Sequence, residues 1–321
     1  MLRRSLLILP AAAALPRRAR AQGFPDRPVT MVVPYAPGGS ADVLARVVGP
    51  AMAEALGQPV VVELRPGAGG NVGAAYVAHG ARADGHTFLF ASLSLSTAPA
   101  LGNAGFDPQA DLVPVAGVGA VPNLLVVSPA SPFLGVADVV AAARARPGEV
   151  SFGSSGPGTG SHLSGELLAA AAGIRLLHVP YRGSGAVYPD LIAQRIALLL
   201  DVMGSSSGQV QAGAVRAIGI TSAARSPAFP DVPTIAEQGL PGFEFATWFG
   251  FFARAGTPPE AAARLEAAIL HALEATAVRD RLRQAAAEPI PRPAAAFRPW
   301  FAREVERWRG MVASGRLARL D

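Results

Sequence analysis

The chain contains no cysteine and no lysine. Without cysteine it can form no disulfide, no thiolate metal site and no cysteine nucleophile. Without lysine, all 28 basic residues are arginine, which excludes Schiff-base chemistry and the lysine of a phosphate-binding P-loop. A basic surface is lacking too, although the formal net charge is +5. Residues 1–21 carry Arg3, Arg4, Arg17, Arg18 and Arg20 and no acid, which leaves 23 arginines against 23 acids in the remainder. A nucleic-acid binder should keep a basic face, so no nucleic-acid partner is expected. The histidines (His79, His86, His162, His178, His271) show no ligand spacing, so neither a metal nor a cofactor is expected.

What is present begins with an address. Arg3-Arg4 form a positive start, Leu6 to Leu15 is apolar but too short to span a bilayer, and Ala19-Arg20-Ala21 has the A-x-A form of a cleavage site. Residues 1–21 are therefore expected to be a signal peptide. The general secretory route is preferred over twin-arginine export, with a retained anchor as the alternative. The expected location is the periplasm.

Beyond residue 21, short β-branched runs alternate with helical patterns, as in α/β proteins, and the length suits about two domains. Strands are expected at Val29 to Val33, Val60 to Leu64 and Thr87 to Ala91. A helix with Leu44, Val47, Val48, Ala51, Ala55 and Leu56 on one face should stop at Gly57, and another should run from about Val72 to Gly80. A second cycle starts near Asn123, with strands at Leu124 to Val127, Val150 to Gly153, Arg175 to Val179, Ile196 to Asp201 and Val215 to Thr221. Its helices are expected at Val136 to Ala145, Ser161 to Ala172 and Ala186 to Ala193. The aromatic-rich Phe243 to Phe252 reads as a strand crossing between lobes. Thr257-Pro258-Pro259-Glu260 has the form of a capping box opening a helix with Leu265, Ala268, Ile269, Ala272 and Leu273 on one face. A last helix is expected over about Phe301 to Ser314.

A glycine-rich turn joins strand to helix three times, at Pro34 to Ser40, Pro66 to Asn71 and Ser154 to His162. A helix N-terminus offers unpaired N–H groups and partial positive charge, and glycine lets an anion approach the backbone closely. Such turns suit a carboxylate or phosphate; each could equally be a plain connection. Asp42 could brace its own helix or face a ligand. His162 could donate to an anion or pack beside its turn. Arg182 could pair a carboxylate or sit on the surface. Gly67 to Gly73 misses the dinucleotide fingerprint by one residue. Gly204-Ser205-Ser206-Ser207-Gly208 matches G-x-S-x-G, with Asp231 and His271 downstream, so a secreted serine hydrolase using Ser206 is the enzymatic alternative.

Six blocks then resemble one family in order: Pro28 to Asp42 (PVTMVVPYAPGGSAD), Val60 to Gly70 (VVVELRPGAGG), Asp84 to Thr87 (DGHT), Ser154 to Leu163 (SSGPGTGSHL), His178 to Gly183 (HVPYRG) and Pro230 to Thr234 (PDVPT). They are similar to the Bug, or TctC-type, extracytoplasmic solute receptors of tripartite tricarboxylate transporters. The resemblance implies a two-lobed type II periplasmic-binding-protein fold with a ligand cleft between the lobes. It places lobe 1 at 22–122 and 246–321 and lobe 2 at 123–245. It implies a monomeric, non-enzymatic binder of a di- or tricarboxylate, acidic amino acid or aromatic acid that serves membrane transporter subunits, or alternatively a sensing partner of a signalling receptor. The resemblance carries ligand contacts onto the turns Ala36 to Asp42 and Ser154 to His162, with Asp201 as a further cleft candidate; the expected ligand-binding residues are Tyr35, Ala36, Pro37, Gly38, Gly39, Ser40, Asp42, Ser92, Ser154, Ser155, Gly156, Thr159, Gly160, Ser161, His162, Tyr181 and Asp201. Leu64, Ala193-Gln194 and Tyr35 depart from the family's usual asparagine, Gly-Gly and phenylalanine.

Overall fold

The computed structural model describes residues 23–102, 104–284, 287–315, 317 and 319. The expected signal peptide lies outside these residues. β1 (Val29–Val33) is flanked by two parallel neighbours, β2 (Val60–Leu64) and β3 (Thr87–Ser92). A strand flanked on both edges and covered on both faces must be largely apolar, and its four apolar residues, all but Thr30, are fully buried. Between β1 and β2 runs α1 (Ser40–Leu56), with Ala41, Leu44, Ala45, Val48, Met52 and Leu56 buried. Gly57 ends it in the left-handed region at φ 71°, donating its N–H to the last carbonyls. α2 (Asn71–Ala75) follows β2 and runs on through a wider turn at Tyr76–Gly80; α3 (Ser94–Leu101) follows β3.

β4 (Leu112–Val127) is the spine of the molecule. The expected second cycle opens with a strand only at Leu124, but the strand already starts at Leu112. Gly117, Gly119 and Pro122 hide it from a propensity reading. Packing explains Gly117: a β-carbon there would come within 3.0 Å of the Phe297 ring. After β4 come α4 (Val136–Ala145), β5 (Ser151–Ser154), α5 (Gly160–Ala172), β6 (Leu177–Pro180), α6 (Tyr188–Ile192), β7 (Leu198–Val202), α7 (Met203–Gln211) and β8 (Arg216–Ile220). The chain then returns through β9 (Ala246–Arg254), α8 (Pro259–Glu274), α9 (Thr276–Gln284), β10 (Glu288–Pro293) and α10 (Ala294–Ala313). α8 begins at Pro259, but Thr257 caps nothing in it: the Thr257 hydroxyl donates to the Arg254 carbonyl at 2.8 Å.

The strand order is β2-β1-β3-β9-β4-β7-β5-β6, with β8 and β10 also on β4. The partners of β4 change partway along it. Leu112 to Pro122 pair with β9, and Ala116 to Ala120 also pair with β10. Asn123 to Val127 pair instead with β7 and β8. One strand thus belongs to both halves of a two-lobed periplasmic-binding-protein fold. Aromatic rings anchor the return segment: Trp248 and Phe252 of β9 meet Phe297, Trp300 and Phe301 of α10 at centroid distances from 5.0 to 6.1 Å. The alternation read from the sequence therefore gives the right class and most of the elements.

Candidate ligand-binding site

All three glycine-rich turns open on one cavity of about 610 Å³. The first supplies Pro34 to Pro37 and Gly39 to Ala41, at the start of α1. Its bend needs Gly38, at φ 77°, and Gly39 is the extended N-cap. The second turn supplies Pro66 to Gly70, where four successive residues have positive φ (141°, 46°, 65° and 108° from Gly67 on). Such a run is unfavourable for side-chain-bearing residues, and Ala68 is the sole non-glycine in it. The third turn supplies Ser155 to Pro157, Thr159 and Gly160, at the start of α5. Two helices of 17 and 13 residues thus aim their N-termini at one space.

The turns also meet each other. A β-carbon on Gly69 would overlap the Pro157 carbonyl oxygen, and one on Gly183 would come within 2.8 Å of Ala36. Thr97 of α3 can donate to the Gly158 carbonyl at 3.1 Å, and Ser40 lies 3.4 Å from Ser205. Each contact joins residues from opposite sides of the partner change on β4. Where β4 changes partners, Asn123 is wholly buried; its side-chain amide reaches the Gly160 and Leu200 carbonyls and the Ser164 hydroxyl at 3.0 to 3.2 Å. Thr247, on the returning β9, donates to the Asn123 oxygen at 3.2 Å and also lines the cavity. Both crossing segments are therefore tied to the N-terminus of α5.

Within the third turn, Ser155, Thr159 and Ser161 hydroxyls form a triangle with sides of 2.8, 3.1 and 3.1 Å. Ser154 is buried beneath it, bonded to His178 Nε2 at 2.7 Å. The His162 ring stacks on His178 at 4.0 Å, and Phe152 stacks on His178 at 4.9 Å. Burial, and then the neighbouring His178, hold His162 down at about 3; burial holds His178 at about 4. Both are neutral near pH 7, and His162 Nδ1 accepts the Gly158 N–H at 3.2 Å. Of the two roles open to His162, the structure gives packing beside the turn.

On the far wall stands Asp201, 1% exposed. It accepts hydroxyl hydrogen bonds from Ser184 (2.6 Å), Tyr188 (2.7 Å) and Ser205 (2.7 Å). Burial pushes its carboxyl up, while the hydroxyls pull it down. Tyr181 lines the cavity but donates its hydroxyl to Asp190 at 2.7 Å; desolvation and then Asp190 push it up to about 12. Arg182 is exposed at the cavity wall and is the one cation among the described lining residues. Among the described residues, no cluster of three or more potential ligands could hold a metal.

The chain matches the model of the tripartite tricarboxylate transporter family receptors over residues 44–316. The chain belongs to this receptor family. BugT of Bordetella pertussis is 38% identical over 305 residues, covering 94% of this chain and 93% of that protein. Among solved structures, Rhodopseudomonas palustris Rpa4515 with adipate is 36% identical, with a TM-score of 0.87 over 92% of this chain and all of that one. MatC from the same organism, with bound malate, is 34% identical, with a TM-score of 0.85 over 90% of this chain and all of that one. No helix among the described residues is long and apolar enough to cross a membrane.

Of the expected ligand-binding residues, Tyr35, Ala36, Pro37, Gly39, Ser40, Ser92, Ser155, Gly156, Thr159, Gly160, Tyr181 and Asp201 line the cavity. Gly38, Asp42, Ser154, Ser161 and His162 do not; they brace its turns. Asp42 accepts the Gly38 N–H at 3.0 Å and pairs with Arg46 at 2.7 Å. The second turn, read from the sequence as one of three suited to an anion but not counted among the ligand-binding residues, lines the cavity too, as do Ser184, Ser205, Thr247 and Phe249, which sequence reasoning left out. One signal existed: an acid closing the apolar run Leu198 to Leu200 needs donors, and Ser184 and Ser205 are near in sequence. The hydrolase motif also has another explanation. Gly204 to Gly208 is part of α7, and Ser206 is fully buried with its hydroxyl on the Val202 carbonyl at 3.2 Å. Ser206 does not line the cavity, and His271 is exposed on α8.

Proposed function

We propose that this chain is a periplasmic receptor that captures a small organic carboxylate between its lobes and delivers it to the membrane subunits of a tripartite tricarboxylate transporter. The observation that carries the reading is the convergence of the α1 and α5 N-termini on one cavity, one from each lobe, with Arg182 beside them. Backbone N–H groups and a guanidinium are donors that suit carboxylate oxygens. The volume suits a small ligand. The relatives that hold adipate and malate support the same class.

In this reading the lobes are 22–122 with 246–321, and 123–245, and the protein is a monomer exported by residues 1–21. The ligand is held by Ala36, Pro37, Gly39 and Ser40 and by Ser155, Gly156, Pro157, Thr159 and Gly160, with Tyr35, Ser92, Tyr181, Arg182 and Asp201 around it. Ligand binding stabilises the folded state by mass action. A melting-temperature screen of the purified chain against succinate, glutarate, adipate, malate, citrate, glutamate and benzoate should give at least one clear rise. Arg182→Ala should then weaken that acid about tenfold or more in calorimetry, in line with the loss of a charge-assisted hydrogen bond. A rise with sugars or cations and none with acids defeats the reading.

A further inference from the structure

The Asp201 corner has a property that follows from counting protons. A carboxylate only accepts, and a hydroxyl has one proton to give. Ser184 gives its proton to Oδ1 of Asp201, and Tyr188 gives its proton to Oδ2. Ser205 gives its proton to Oδ2 at 2.7 Å or to the Val202 carbonyl at 2.9 Å, both of them protein atoms. Ser40, across the cavity on the other lobe, donates to Ser205. Ser40, Ser184 and Ser205 all line the cavity, yet each hydroxyl proton has a partner within the protein. What these oxygens keep for a ligand is lone pairs. The donors stand elsewhere, at the helix N-termini and Arg182.

Resting on the receptor reading above, we propose that Asp201 sets the ligand's chemistry beyond its carboxylate: it turns Ser184 and Ser205 into an acceptor-only subsite that selects an acid bearing a hydroxyl or ammonium group. Asp201 acts through the serines and is a positioning residue. A ligand O–H or N–H placed there completes the idle lone pairs. A bare methylene leaves those oxygens dry and unpaired, and a second carboxylate meets like partial charge. Rejection of an analogue that lacks a needed hydrogen-bonding group is the more selective form of recognition.

The test is calorimetric titration of the whole chain with matched acids: succinate against malate and aspartate, and glutarate against 2-hydroxyglutarate and glutamate. At the chain length that binds better, one substituted acid should bind about tenfold or more tighter than its plain partner. Asp201→Asn supplies an amide that can donate to a serine and turn a hydroxyl proton toward the cavity. In that variant the ratio should shrink to about threefold or less. Ser184→Ala with Ser205→Ala keeps the acid and removes the idle acceptors; it should shrink the ratio likewise, and it decides the matter if Asp201→Asn does not fold. Equal binding of plain and substituted acids by the unaltered chain, or a ratio that survives both variants, overturns the inference and leaves the receptor reading standing. Binding of none of these acids, with binding of a different solute class, overturns both.

Discussion

Tyr35 shows how much one oxygen can organise. Its hydroxyl receives the Ser92 N–H at 3.1 Å and the Ser92 Oγ–H at 2.7 Å, so its own proton goes to Ser94 Oγ at 2.6 Å. The end of β1, the end of β3 and the start of α3 are joined through this atom. Burial holds its pKa above the ordinary tyrosine value, opposed by the bonds to Ser92 and Ser94, so it stays a neutral phenol. Tyr35→Phe, the residue usual for the resembled family, keeps the ring and leaves the Ser92 donors without an acceptor. It should cost about 1–3 kcal/mol, the range for an unsatisfied buried group. Denaturant unfolding should show a lower midpoint at unchanged slope; an unchanged midpoint means that water has taken the place of the hydroxyl. At this scale the sequence was informative where backbone does the work. Gly38 and Gly69 needed their conformations, and the glycines were visible. It was ambiguous where a side chain could turn either way, as at Asp42 and His162. The choice there depends on which neighbour comes within hydrogen-bonding or stacking reach, and spacing does not report that.

The stack of Phe152, His178 and His162 belongs to the elements, since it clamps α5 onto β5 and β6. Two neutral imidazoles kept from protons make stability depend on pH. The ordinary histidine value is 6.5, and the folded values are about 3 and about 4. Between those limits the unfolded chain binds more protons than the folded one, so stability rises with pH there. It is complete above about pH 6.5 and falls as pH drops toward 4. Glu166, its carboxyl pushed up by burial, opposes this by taking a proton early in the folded state. Comparing variants isolates the imidazoles. His162→Asn with His178→Gln keeps an acceptor for the Gly158 N–H and a partner for Ser154. The melting-temperature loss between pH 6.5 and pH 4 should drop to about half or less; the same loss in the double variant refutes the assignment. Elements were legible where periodicity was clean, as in α1 and α8. They were lost where packing overruled composition. β4 carries Gly117 where the Phe297 ring lies against it, and α7 carries the serines that matched a G-x-S-x-G motif.

On the scale of the whole molecule, the six blocks in their order were enough to identify the family, and four of them, at 28–42, 60–70, 154–163 and 178–183, mark places where the chain turns into the cleft. Closeness between blocks distant in sequence was not legible, and it governs closure. Gly69 and Pro157 are in contact across the cleft, the first on the turn after β2 and the second on the turn before α5. A methyl group at Gly69 collides with the Pro157 carbonyl oxygen only while the lobes are together. Its local cost is modest, about 1–2 kcal/mol for an alanine held at φ 65°. The effect across the cleft is larger, because backbone meets backbone and neither can rotate away. Gly69→Ala therefore shifts the population toward separated lobes without touching the helix N-termini proposed to hold the ligand. The ligand must then reverse that shift, so its apparent affinity drops by the fraction of closed form lost. Calorimetry with whichever acid raises the melting temperature should show binding weakened about tenfold or more. Small-angle scattering at saturating acid should show a larger radius of gyration than for the unaltered chain. A variant that binds as tightly and scatters as compactly would mean that the two turns have room to slide past each other.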